Sequence, residues 1–191
     1  QELGIIDRFE DFENGVKNAD LIITAIPVDA TVKILPQVLD LITDKQTVMD
    51  TDSTKSGIVA AIKNHPNRKR FVAFHPMWGT ENSGPKAAQK ESFAGRAAVI
   101  CDREDSEQDA LALVENIAKN LEMHLIYMNA DAHDVHTAYI SHISHITSYA
   151  LANTVLEKER EEDTIFQLAS SGFSSTVRLA KSHPEMWVPI F

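Results

Sequence analysis

Histidine titrates closest to neutrality of all side chains, and this sequence concentrates its histidines. Four of the eight lie within thirteen residues: His133, His136, His142 and His145. Another, His75, opens the run His75-Pro76-Met77-Trp78-Gly79-Thr80-Glu81-Asn82-Ser83-Gly84. A neutral imidazole at the rim of a sheet can take a proton from a substrate hydroxyl near neutral pH. Long glycine-bearing loops are common carriers of function; the bland alternative is a buried histidine ahead of a proline turn. The cluster invites a metal, but helix geometry argues against one shared site. At about 100° per residue, His133 and His136 point away from His142 and His145. The i,i+3 pair His142/His145 lacks a Cys or Glu at a spacing that would complete a ligand set, so no metal is expected. His142 lies near an apolar stripe (Val135, Tyr139, Ile143, Ile146, Ala150) and reads as a packed core residue. His145, on the flank, is better placed to meet a ligand.

Two further segments carry chemistry. Asp50-Thr51-Asp52-Ser53-Thr54-Lys55 falls between a strand and a helix. In an open parallel sheet such a loop lines the ligand cleft; the alternative is a helix cap by Asp52, Ser53 or Ser56. Arg178 follows Gly172-Phe173 and precedes His183-Pro184-Glu185-Met186-Trp187. Its guanidinium could clamp a carboxylate bidentately, or be a surface cation.

These residues need a scaffold. The apolar run at 21–26, closed by Pro27, predicts a strand buried on both faces. Further strands are expected at 46–49, 71–74, 97–101 and 124–128. The pattern at Val32, Leu35, Val38, Leu39 and Ile42 predicts a helix with Pro36 near its start. Ser56 opens another helix, and Ser106 is expected to cap a third whose apolar positions are Leu111, Val114, Ile117, Ala118 and Leu121. Strands alternating with helices in short units predict a parallel, Rossmann-like sheet covered on both faces. His75 then stands just past the third strand. After Asn129 the pattern turns all-helical, beginning with one long helix over 131–160. We therefore expect a partial dinucleotide-binding domain at 1–129 and the start of a helical domain at 130–191.

Bulk composition excludes several classes. The net charge of −10 offers no basic face to nucleic acid or an anionic membrane. The run Asn67-Arg68-Lys69-Arg70 reads as a solvated turn. No apolar stretch reaches the length of a membrane span. Cys101 is the single cysteine, so no intrachain disulfide can form, which suits a reducing cytoplasm.

Together, and in this order, the segments resemble the prephenate and arogenate dehydrogenase family. Ala19-Asp20-Leu21-Ile22-Ile23-Thr24-Ala25-Ile26-Pro27-Val28 is similar to that family's strand ADLVILAVPV, and Asp50 to Lys55 to its D-x-x-S-x-K element. The His75 loop resembles H-P-M-x-G-x-E-x-x-G. Ser141-His142-Ile143-Ser144-His145 resembles S-H-x-x-H, and Gly172 to Trp187 resembles G-F-x-x-x-x-R followed by Met-Trp. Ser144 stands where the family often has Pro, and Ser174 and Ser175 where many members carry Asp.

The resemblance implies an NAD-dependent oxidative decarboxylation of prephenate in tyrosine biosynthesis, with NADP left open. It implies that His75 is the catalytic base and that Ser53 orients it beside the nicotinamide. Arg178, His145, Glu81 and Trp187 would meet the substrate; Ala25, Pro27, Asp50 and Ser53 would face the cofactor. It also implies a homodimer through the helical part. The family's glycine-rich turn and first two strands do not precede Gln1, so we expect an internal part of a longer protein that, alone, neither binds NAD nor turns over. Rival readings are an arogenate dehydrogenase, a non-catalytic dimerising module and a metal-dependent hydrolase.

Overall fold

The structure, a computed structural model, describes the chain apart from residues 1–3, 81, 83, 90, 91 and 163. Five strands, β1 (Leu21–Thr24), β2 (Thr47–Asp50), β3 (Phe71–Pro76), β4 (Ala97–Cys101) and β5 (His124–Met128), form one sheet in sequential order. β1, β2 and β3 are parallel. β4 runs antiparallel to β3, and β5 is parallel to β4. The sheet is thus mixed, not wholly parallel as expected. The cause is the connection: among the described residues of 77–96 there is no crossover helix, only a 3-10 turn at Pro85–Ala87, and a chain that returns directly must pair antiparallel.

Alternation along β3 sorts the core. Phe71 and Ala73 face one apolar cluster, together with Val48, Leu35, Leu39, Ile58, Val99 and Cys101. Val72 and Phe74 face the other, with Met49, Ile100, Leu111, Val114 and Ala118. Helices α1 (Phe12–Asn18), α2 (Val28–Leu41) and α3 (Ser56–Ile62) supply residues to the first cluster or precede it, and α4 (Gln108–Asn120) covers the second. By this alternation His75 belongs to the first face.

Three local expectations change. α2 begins at Val28 and carries Pro36 inside it. The lost hydrogen bond is tolerated because Leu35, Val38 and Leu39 bury the helix against the sheet. Ser106 does not cap α4; its Oγ donates to the carbonyl of Phe71 at 2.8 Å, and Glu107 holds the cap position. His75 is the fifth residue of β3 rather than the first residue beyond it.

The long helix is real but interrupted. α5 (Ala130–Thr137) passes through a π turn (Ala138–His142) into α6 (Ile143–Glu162). A π turn inserts one residue and rotates everything after it by about 100° relative to an α-helix. His133 and His145, about 120° apart on an unbroken helix, come to within roughly 20° of one face. The expectation that His133 points away from His145 is corrected on this ground. The chain then forms short 3-10 turns at Ile165–Leu168 and Arg178–Lys181, with α7 (Ser171–Thr176) and α8 (Pro184–Trp187). Among the described residues no helix is long and apolar enough to cross a membrane.

Candidate active site

His75 is nine-tenths buried, yet it lines a cavity of about 290 Å³ whose wall also includes Ser53, Trp78, His142, His145, Arg178 and Trp187. The strand supplies the imidazole from one side and the helical region closes the other.

Behind His75 lies a hydrogen-bonded chain. Its Nδ1 is 2.8 Å from Nε2 of His133 on α5, and the rings meet edge to face. Nδ1 of His133 is 2.8 Å from Oδ1 of Asp134. The Asp134 carboxylate also accepts the main-chain N–H groups of Lys55 (2.7 Å) and Ser56 (2.8 Å) at the start of α3. Burial alone would raise the Asp134 carboxyl, but the His133 ring and these N–H donors bring it down to about 2. An ionised Asp134 can only accept, so His133 places its proton on Nδ1 and offers Nε2 as acceptor. His75 then donates through Nδ1, and its Nε2 keeps a lone pair. Burial, the Lys55 charge and the neighbouring His133 and His142 rings push the His75 imidazole well below the ordinary histidine range, against the opposing pull of Asp134. The result is a neutral base with its orientation fixed.

The opposite wall is aromatic and cationic. His145 stacks on Trp187 with ring centroids 3.4 Å apart, and its Nδ1 lies 3.2 Å from the carbonyl of Ser141. Burial lowers His145, and the nearby Arg178 charge adds to this, while the Ser141 carbonyl opposes it. His142 is buried and edge-on to Trp187. Arg178 is the arginine on the cavity wall.

The structure brings His75, Ser53, Arg178, His145 and Trp187 to one cavity. Two expectations change. Asp50 is fully buried, so it presents no oxygen to a cofactor; it pairs with Lys55 and accepts the N–H of Phe74 at 2.9 Å. Ser53 was expected to orient His75; the orienting partner at Nδ1 is His133, while Ser53 lines the same cavity. Ala25 and Pro27 lie just beyond the carboxyl end of β1, exposed and off the cavity wall. Glu81 lies outside the described residues. Sequence reasoning missed His133 and Asp134 as a relay, because their partners are 58 and 79 residues away. Among the described residues, no three His, Cys, Asp or Glu side chains converge as metal ligands.

This geometry, a tuned histidine facing an arginine across an aromatic pocket, can be set beside known proteins. Residues 1–127 match the family described as prephenate dehydrogenase, nucleotide-binding domain, and residues 129–191 match prephenate dehydrogenase, dimerization domain. The chain belongs to the prephenate dehydrogenase family. Prephenate dehydrogenase of Bacillus subtilis is 32% identical over 189 residues, covering 97% of this chain and 51% of that protein. Cyclohexadienyl dehydrogenase of Zymomonas mobilis is 26% identical, covering 95% of this chain and 62% of that one. Among solved structures, prephenate dehydrogenase from A. aeolicus in complex with hydroxyphenyl propionate and NAD+ has a TM-score of 0.89 at 29% identity. That match covers 100% of this chain and 67% of the A. aeolicus chain. The chain spans about half to three-fifths of the length of the curated relatives it matches. The fold described above, a mixed sheet followed by a helical region, is thus shared with that solved structure.

Proposed function

We propose that the protein carrying this chain is an NAD-dependent prephenate dehydrogenase, converting prephenate to 4-hydroxyphenylpyruvate in the cytoplasm. One observation carries the reading: Nδ1 of His75 is engaged by the His133–Asp134 chain while the ring lines a cavity that also holds Arg178. NAD, when bound, supplies the hydride acceptor. The rim beyond β1, where Ala25, Ile26 and Pro27 are exposed and uncharged, suits a flat pyridine ring better than it suits a second anion.

His75 Nε2 takes the proton of the ring hydroxyl as the hydride leaves the same carbon. The ring carboxylate departs as carbon dioxide, its electron pair completes the aromatic ring, and the proton returns from His75 to the phenolic oxygen. Arg178 holds a substrate carboxylate, which an acidic chain needs in order to attract a dianion. Aromatisation drives the reaction, so the protein has mainly to orient groups and keep one histidine neutral. Ser53, His145 and Trp187 shape the pocket around the ring. We place the boundary between the nucleotide-binding part and the helical part at residue 129. The helical part leaves Tyr139, Ile140, Ile143 and Ile146 exposed along one rod, which supports a homodimer built through it.

The test is His75→Asn in the full-length protein, assayed with prephenate and NAD and in parallel with arogenate. kcat on prephenate should fall by about 10²–10⁴-fold with NAD affinity unchanged. A rate within a few-fold of the parent removes His75 from the chemistry; faster turnover of arogenate by the parent reassigns the substrate.

A further inference from the structure

Asp50 and Lys55 are both fully buried and paired with each other, and the reaction described above uses neither. A buried ammonium is costly unless paired and held, and a buried ion pair gives little net stability. Its position therefore calls for another account.

The pair touches both ends of the histidine chain. Oδ1 of Asp50 accepts the N–H of Phe74, the residue before His75, at 2.9 Å. The last registered pair between β2 and β3 is Met49 with Val72, so this carboxylate ties the strands together beyond their ladder. The N–H of Lys55 donates to Asp134 at 2.7 Å. Asp134 binds His133, and His133 binds His75. His75, His133, Asp134, Lys55, Asp50 and Phe74 thus form a closed ring of hydrogen bonds and covalent links that returns to His75.

The geometry assigns the Asp50–Lys55 pair a positioning role: it closes the ring that fixes the His75 imidazole. The inference rests on His75 being the base. The groups that face the ring are Lys55 from the loop after β2, His133 and Asp134 from α5, and His142 from the π turn. Burial acts first and Lys55 next to keep the proton off; Asp134 pulls the other way. With Lys55 gone, the balance moves towards Asp134.

The experiment is the paired variant Asp50→Asn/Lys55→Met in the full-length enzyme, which removes both members of the ion pair together. The acidic limb of the kcat–pH profile should move to higher pH by about one unit, with KM for NAD within about twofold of the parent. A merely structural role would lower kcat at every pH and leave the limb in place, and that result overturns the proposal. A second measurement needs no variant and no turnover. In 15N NMR of the unaltered protein, the amides of Phe74 and Lys55 should shift with the same midpoint as the His75 ring. Amides indifferent to that titration overturn the proposal even where the double variant does not fold. An inactive parent with coupled titration would instead sink the assigned reaction and leave the ring standing.

Discussion

The α/β region and the helical region answer their own apolar patterns differently. In the first, the periodic residues meet inside the chain: Leu35, Leu39, Val48, Ile58 and Phe71 are all fully buried. In the second, the apolar stripe faces outwards, with Tyr139 at 74% and Val135 at 55% exposure. The face that α5 and the π turn bury against the sheet region carries His133, Thr137 and His142 instead. A helix normally buries its apolar stripe. Here the inward face serves the site and the outward face is left for another surface. The lesson is that apolar periodicity locates the core in one region and an uncovered face in the other.

The largest expected effect tests that contrast directly. Leu39→Ala should cost about 3 kcal/mol of stability in urea unfolding, the price of emptying a packed site. Ile143→Ala should leave monomer stability nearly unchanged and instead weaken self-association, read by sedimentation across a concentration series. Equal losses of monomer stability in the two variants would erase the distinction between core and interface.

A smaller effect tests how the regions are joined. Asp134 is depressed to about 2 from its ordinary value of 3.8. A carboxylate lowered in the folded state contributes stability that is full above its unfolded value and is lost as pH falls through the folded one. The shift corresponds to about 2 kcal/mol, present above the ordinary carboxylate range and lost on acidification towards the folded value. Asp134→Asn should therefore flatten the acid dependence of unfolding and also lower kcat, because His133 loses the partner that sets its tautomer. An unchanged acid slope would mean that α5 is not fastened to α3 through this carboxylate.

How much of this was legible beforehand follows from how local each signal is. The five strands were readable because alternation and apolar runs are short-range, and β3 carried His75 to the right rim. The reversal of β4 was less legible: nothing in 77–96 spells hairpin return in place of a crossover. Ser53, His145, Arg178 and Trp187 were found from motifs, and they do share a cavity. His133 was set aside for a sound geometric reason that the π turn then overrode. Such a turn leaves no periodic trace in sequence, since it is one extra residue absorbed by packing. Asp134 had no signal because it caps a helix 79 residues earlier in the chain. Asp50 sat in a cleft-lining motif, but its side chain turned towards Lys55 and the neighbouring strand.

The smallest expected effect asks whether the helical region contributes chemistry to the site as well as shape. Arg178 reaches the cavity from a short turn of that region, and its charge bears on His145. Arg178→Gln keeps N–H donors at the position but removes the charge and the paired fork that fits a carboxylate. KM for prephenate should rise about tenfold, equivalent to about 1.4 kcal/mol, with kcat within about twofold. Because Arg178 is exposed to solvent, the parent's KM should also rise with ionic strength, and the variant's should not. A KM equally sensitive to salt in both proteins would place the carboxylate elsewhere on the wall, and the helical region would then contribute only shape to the site.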